Sequence, residues 1–217
     1  MNISMKKDDL FDGIFTIDPN NSADKFLLAL LTLLKVKSYN AITISELCAQ
    51  ANLSRKTFYK NFSSKEALLD YLYEDFVLAF HSYKFTPPNE ITNEMEIDNL
   101  RYFTFWYHMR EWVHVLVKND LWFYINRITP YSDGLATPRN WGKYLTANST
   151  AKEMLFEFFH TGRLQLVQWW CLHDFSMSPF EVASLVSFVV SGRLTEIKKL
   201  KNGAELSAPF RVQLTLL

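Results

Sequence analysis

TISELCAQANLSRKTFYKNF, residues Thr43 to Phe62, is the stretch on which the reading of this chain turns. Ile44, Leu47, Cys48 and Ala51 recur at the i, i+3, i+4, i+7 spacing of one buried helical face, and Thr43 with Glu46 forms a capping box ahead of them. Asn52 stands where a residue tolerant of left-handed geometry would end that helix. Leu53 is an apolar plug, and Ser54 is a good N-cap for a second helix. A turn of about three residues between two short helices suits a helix-turn-helix.

The second helix runs from Arg55 to Phe62, with Phe58 and Phe62 one turn apart. If both rings pack inward, Arg55, Lys56, Tyr59 and Lys60 face out. Cations and a phenol in front of an aromatic anchor suit a DNA major groove. An isolated eight-residue basic segment would more often be a solvated surface helix; the capped helix and tight turn before it reverse that judgement.

From Leu27 to Leu69 the chain resembles the amino-terminal DNA-binding domain of the TetR family of bacterial transcriptional regulators. The resemblance is carried by Ser38-Tyr39, the cap Thr43, the turn Ala51 to Ser54, the core Thr57 to Tyr59, and the Ser64 to Glu66 start of the next helix. Ser38 and Asn52 stand where that family usually has glycine, and Lys56 occupies a position that is often small. The resemblance implies an all-α protein with a three-helix DNA-binding domain and a carboxy-terminal helical bundle that dimerises and takes an effector. It places Arg55, Lys56, Thr57 and Tyr59 near base edges or flanking phosphates, and Thr43, Tyr59, Lys60, Asn61 and Lys65 on the backbone side, with Ser54 also among the DNA-binding residues. A dimer would read an inverted repeat with half-sites about 34 Å apart or somewhat more.

Composition sets outer bounds. The 217 residues are 48% hydrophobic and 16% aromatic, with zero formal net charge. That describes a globular chain with at most a local basic patch, unlike a protein that coats nucleic acid indiscriminately. Between Lys35 and Lys65 lie Lys35, Lys37, Arg55, Lys56, Lys60 and Lys65 against the single acid Glu46. Cys48 and Cys171 sit in apolar helical patterns and read as buried free thiols of a cytoplasmic protein. No apolar run approaches the ~18 residues of a membrane span.

In chain order, residues 1–20 read as a mobile arm, 21–84 as the DNA-binding domain and 85–217 as the effector-binding and dimerisation domain, with Pro87 and Pro88 at the boundary. Ser22 is expected to cap the first helix, and Ser63 with Glu66 to form a capping box before a helix ending near Tyr83. Lys65 then falls in a first turn, where a cation and free N–H groups would hold a phosphate. Further helices are expected over about 97–117, Leu121 to Ile128, 149–173 and 179–200, the last opened by a Ser178–Glu181 box with Pro179 at its first position. Residues 129–146 carry Pro130, Gly134, Pro138 and Gly142 and read as a loop. The helices over 149–173 and 179–200 are apolar on more than one face and are expected to pair with a second copy of the chain.

No phosphate loop, nucleophile elbow or close Ser/His/Asp set appears, so the reading is not of an enzyme, and no cofactor is expected. Aromatic residues and a few polar groups could line an apolar effector pocket: Phe103, Trp106, Tyr107, His114, Trp122, Asn126, Phe159 and His160. For any single ring the plainer reading is core. Two other functions stay open. The carboxy-terminal domain could bind a protein partner, making the chain a helix-turn-helix adaptor. Alternatively, Glu111/His114 and Glu157/His160 are Glu-x-x-His pairs of the kind di-metal bundles use, although such sites need further acids from two other helices.

Overall fold

The computed structural model describes residues 18–127 and 149–190, excepting the side chains at 125–127, 149, 151–153 and 155–156. The arm, the 129–146 loop and the chain beyond 190 therefore lie almost wholly outside the described residues. Eight α-helices and two 3₁₀ segments make up the described chain: α1 Ser22–Leu34, a 3₁₀ turn Tyr39–Ala41, α2 Ile44–Ala51, α3 Arg55–Asn61, α4 Lys65–Ser82, α5 Glu94–His108, α6 Arg110–Lys118, a 3₁₀ segment Trp122–Arg127, α7 Ser149–Leu172 and α8 Pro179–Val190. No strand occurs among them.

Local signals place most of the helix ends. Thr43 and Glu46 close both halves of their box, and Asn52 ends α2 at φ 53°, ψ 44°. Ser54 Oγ accepts from Thr57 N–H at 3.0 Å to start α3. Ser178 and Glu181 bond reciprocally ahead of α8. At two ends the structure differs from the sequence reading by one residue. Asn21, not Ser22, caps α1, accepting from Ala23 N–H at 2.9 Å, which frees Ser22 to pair with Asn61. Ser64 caps α4 by accepting from Ala67 N–H, so the expected Ser63–Glu66 box does not form there.

The long helix expected over 97–117 is two helices broken at Met109, where φ −88° and ψ 10° leave the helical region. Neither glycine nor proline is involved. Met109 is buried, and the Arg110 guanidinium stacks 4.9 Å over the Tyr107 ring while donating to the Tyr107 carbonyl, which satisfies an acceptor the break releases. The expected helix Leu121 to Ile128 is a 3₁₀ segment as far as Arg127.

Apolar side chains of α1 to α4 and of α5 to α8 join in one continuous core. Polar ties cross it. Asn99 of α5 donates to Ser187 of α8 at 3.0 Å, both buried. Buried Asp24 accepts from Tyr71 of α4 at 2.6 Å. Asp174 and Phe175 both turn left-handed after α7, and the Phe175 ring fits between Trp170 and His114.

Asp75 on α4 has its carboxyl pushed up to about 6, first by burial and then by neighbouring Asp24 and Glu74. A folded-state value above the unfolded one means the ionised form opposes folding: the penalty is present above about pH 6 and gone below about pH 4. Asp75→Asn is therefore expected to raise stability near pH 7.5 by about 1 kcal/mol, allowing for solvent screening, with the gain vanishing by about pH 4. Thermal melts of both proteins across that range check it, and a pH-independent gain would assign the effect elsewhere.

Candidate nucleic-acid interface

α3 has only seven residues, too few to hold a helix alone, so its position depends on what lies behind it. Phe58 is fully buried and meets Phe26 of α1 edge-to-face at 5.1 Å. Phe62, just past the helix end, packs on Phe26 and Tyr71. These rings fix the inward side of α3. Its outward side carries Arg55, Lys56 and Lys60, all exposed, together with Tyr59, which is 51% exposed with its ring edge on Phe58 at 5.5 Å.

The six cations of the basic window separate into two groups. Lys35 lies 5.0 Å over the Trp112 ring, Lys37 is paired with Glu46, and Lys65 donates to the carbonyls of Tyr39 and Ile42 at 2.8 and 3.0 Å while lying 4.2 Å over the Tyr39 ring. Arg55, Lys56 and Lys60 make no ion pair among the described residues. Free positive charge is thereby concentrated on one helix. Glu46, held by Lys37 and by the Thr43 amide and hydroxyl, has its carboxyl lowered to about 2 and remains ionised within the pair.

Four other expected contact residues have internal roles. Thr43 and Ser54 serve as caps, Thr57 shares a hydroxyl bond with Ser54, and Asn61 bonds Ser22 and the Thr57 carbonyl. Lys65 differs most from the sequence reading. Two carbonyls face its ammonium, and burial pulls it below the usual lysine range. We expect Lys65→Ala to loosen the Tyr39–Ile42 turn, lowering stability by about 1 kcal/mol, while the salt dependence of DNA binding stays the same. A slope lowered by about one unit would restore Lys65 to the phosphate contacts.

Of the eight expected pocket residues, Phe103, Trp106, Trp122, Phe159 and His160 are buried, Tyr107 is half-buried and His114 is exposed. The Asn126 side chain lies outside the description. Trp106 and Trp122 meet edge-to-face at 4.9 Å, and Tyr107 stacks on Trp170 at 5.5 Å. The two Glu-x-x-His pairs do not come together. His114 Nδ1 faces Cys171 Sγ at 3.1 Å, whereas His160 is buried near Arg163 with its imidazole lowered to about 4, chiefly by burial. Among the described residues no three His, Cys, Asp or Glu side chains converge as metal ligands, and no helix is long and apolar enough to cross a membrane.

Sequence reasoning passed over Tyr102, Asp98, Arg163 and Asn119. Arg163 is 2% exposed and bonds Asp98 at 3.0 Å. Its signal was a charge inside an otherwise apolar face, one turn from Phe159 and from Val167. A groove of roughly 570 Å³ opens beside this pair, lined by Tyr83, Phe85, Glu94, Asp98 and Arg101 among others.

In comparisons with known proteins, residues 26–72 match the family described as bacterial regulatory proteins, tetR family. No curated protein and no solved structure matches the chain.

Proposed function

We propose, from the match of residues 26–72 to the tetR family of bacterial regulatory proteins, that the chain is a TetR-family homodimeric repressor of an inverted-repeat operator, released by a small apolar or aromatic effector. The observation that carries the reading is α3, a helix buttressed by Phe58 and Phe62 that presents on its free side a half-exposed tyrosine and three cations with no ion pair among the described residues. In this reading Arg55, Lys56 and Tyr59 meet base edges or flanking phosphates, and Lys60 meets the backbone.

The dimer reading is supported by α7 and α8. Met154, Phe158, Leu166, Trp169 and Leu172 are exposed along α7, and Val189 is exposed on α8. From Met154 to Leu172 the stripe spans about 27 Å at the helical rise. Gly162 lies within it with nothing within 4 Å of where a Cβ would stand, which lets a partner helix approach closely. A second copy, pairing through 149–173 and 179–200, would cover this face and set the spacing of the two α3 helices.

Selection of bound fragments from random duplex DNA by the full chain tests the proposal. An enriched inverted repeat bound by a dimer is expected; a monomer indifferent to any duplex would overturn it. Within the selected site, Arg55→Ala or Lys56→Ala should change sequence preference, costing about 1–3 kcal/mol at the base read. A uniform loss on all sequences would make that side chain a phosphate contact only.

A further inference from the structure

We propose that Asn61 is a positioning residue for the reading helix: with Ser22 it forms a clamp that sets the angle at which α3 presents Arg55, Lys56 and Tyr59 to base edges. This rests on the DNA-binding reading above and separates the residues of α3 that meet the duplex from the one that aims them.

Asn61 is the last residue of α3, and its side-chain amide faces two ways. Within its own helix Nδ2 donates to the Thr57 carbonyl at 2.8 Å. Across to α1 the same Nδ2 donates to Ser22 Oγ at 3.0 Å, and the Ser22 hydroxyl donates back to Asn61 Oδ1 at 3.2 Å. Among the described residues this pair is the only side-chain hydrogen bonding from α3 to another helix; at the opposite end Ser54 and Thr57 bond each other.

The support under Ser22 is itself fixed. Asn21 caps α1, which leaves the Ser22 hydroxyl for α3. Two residues on, buried Asp24 accepts from the Tyr71 hydroxyl of α4 and from the Asp18 N–H, each at 2.6 Å. The first turn of α1 is thereby held to α4, and Ser22 carries that hold to the end of α3.

Ring packing does not supply this constraint. Phe58 against Phe26 fixes how close α3 lies, but an edge-to-face contact of two phenyl rings tolerates some rotation of the helix about its own axis. Hydrogen bonds are directional, and recognition requires side chains placed within about 0.5 Å and 10–20°. The Asn61–Ser22 pair, three residues past Phe58, adds a lateral stop to the apolar seat. Asn61 is also uncharged, so it contributes nothing to the counterion release that draws Arg55, Lys56 and Lys60 to any duplex.

That division gives the test: fluorescence anisotropy of the full chain on its selected operator and on a random duplex of the same length. Misaiming α3 removes base readout, while binding carried by cations on phosphates persists. Asn61→Ala and Ser22→Ala are each expected to weaken operator binding about five- to tenfold and to leave random-duplex binding within about twofold. The double variant should bind no more weakly than either single one, because both remove the same bonds. Ser22→Thr keeps the hydroxyl and should bind the operator as the parent does. Melting midpoints should stay within about 3 °C of the parent's; a larger fall would make the pair a prop of the fold and overturn the aiming role. Equal losses on both duplexes would make Asn61 a direct phosphate contact and overturn it too, as would additive losses in the double variant or parental operator affinity in either single one. A parent that selects no sequence removes the DNA-reading function and the clamp together. A parent that selects an operator to which Asn61→Ala binds with undiminished preference removes the clamp alone.

Discussion

Phe58→Ala is expected to cost about 3–5 kcal/mol of folding stability and to abolish specific DNA binding. Phe58 is fully buried and meets Phe26, Phe62 and Tyr59 within 6 Å, so truncation opens a cavity at the junction of α1 and α3. A seven-residue helix has no independent stability with which to resist that loss. A side chain with no exposed surface cannot reach nucleic acid, so its effect on binding must come through the orientation of Arg55, Lys56 and Tyr59. Phe58→Leu separates the two consequences: it refills most of the volume and should recover most of the stability, yet it lacks the flat edge that seats Tyr59. Urea unfolding and fluorescence anisotropy on a bound operator fragment measure the pair. If Phe58→Ala destabilises as stated but binds the operator with parental affinity, α3 is not the reading helix.

The features that could be read from the chain beforehand share one property: each is set within a few residues. The Thr43–Glu46 box, left-handed Asn52 and cap Ser54 are chemistry at spacings of two or three, and they fix where α2 and α3 begin and end. What escaped was decided across the fold. Met109 breaks a helix with no breaker residue present, because Arg110 stacked on Tyr107 makes the break tolerable and periodicity carries no trace of it. Lys65 has the same local setting whether it faces a phosphate or two carbonyls; the choice is made by the turn at Tyr39–Ile42, more than twenty positions away. Asn119, which the sequence offers only as a helix-ending polar residue, gets its role from groups about eighty positions distant.

On the proposed effector reading, Asn119→Ala should leave operator affinity within about threefold of the parent, lower stability by about 2 kcal/mol, and weaken release of DNA by the effector. Asn119 ends α6, where Oδ1 accepts from the Tyr39 N–H at 3.1 Å and Nδ2 donates to the carbonyls of Leu34 at 3.3 Å and Val115 at 2.8 Å. One side chain thus ties the carboxy-terminal helices to the end of α1 and to the turn that leads into α2. Tyr73 reinforces the joint from α4, donating to the Leu121 carbonyl and stacking on Tyr124 at 5.3 Å. Trp122 continues it to α7 through its bond to Leu164. A displacement of α7 relative to α5 would reach α1 to α4 along this connected set of bonds, in which Asn119 and Tyr73 are both crossings. Cutting the Asn119 crossing leaves α3 seated on Phe26 and Phe58, which is why binding should survive while coupling is reduced to what Tyr73 carries. Asn119→Asp keeps the acceptor for Tyr39 but has no donor for Leu34, so it should retain part of the response. Operator titrations with and without effector give the coupling directly as a ratio of affinities; an unchanged ratio in Asn119→Ala would move the signal to the Tyr73–Leu121 contact or to the dimer face.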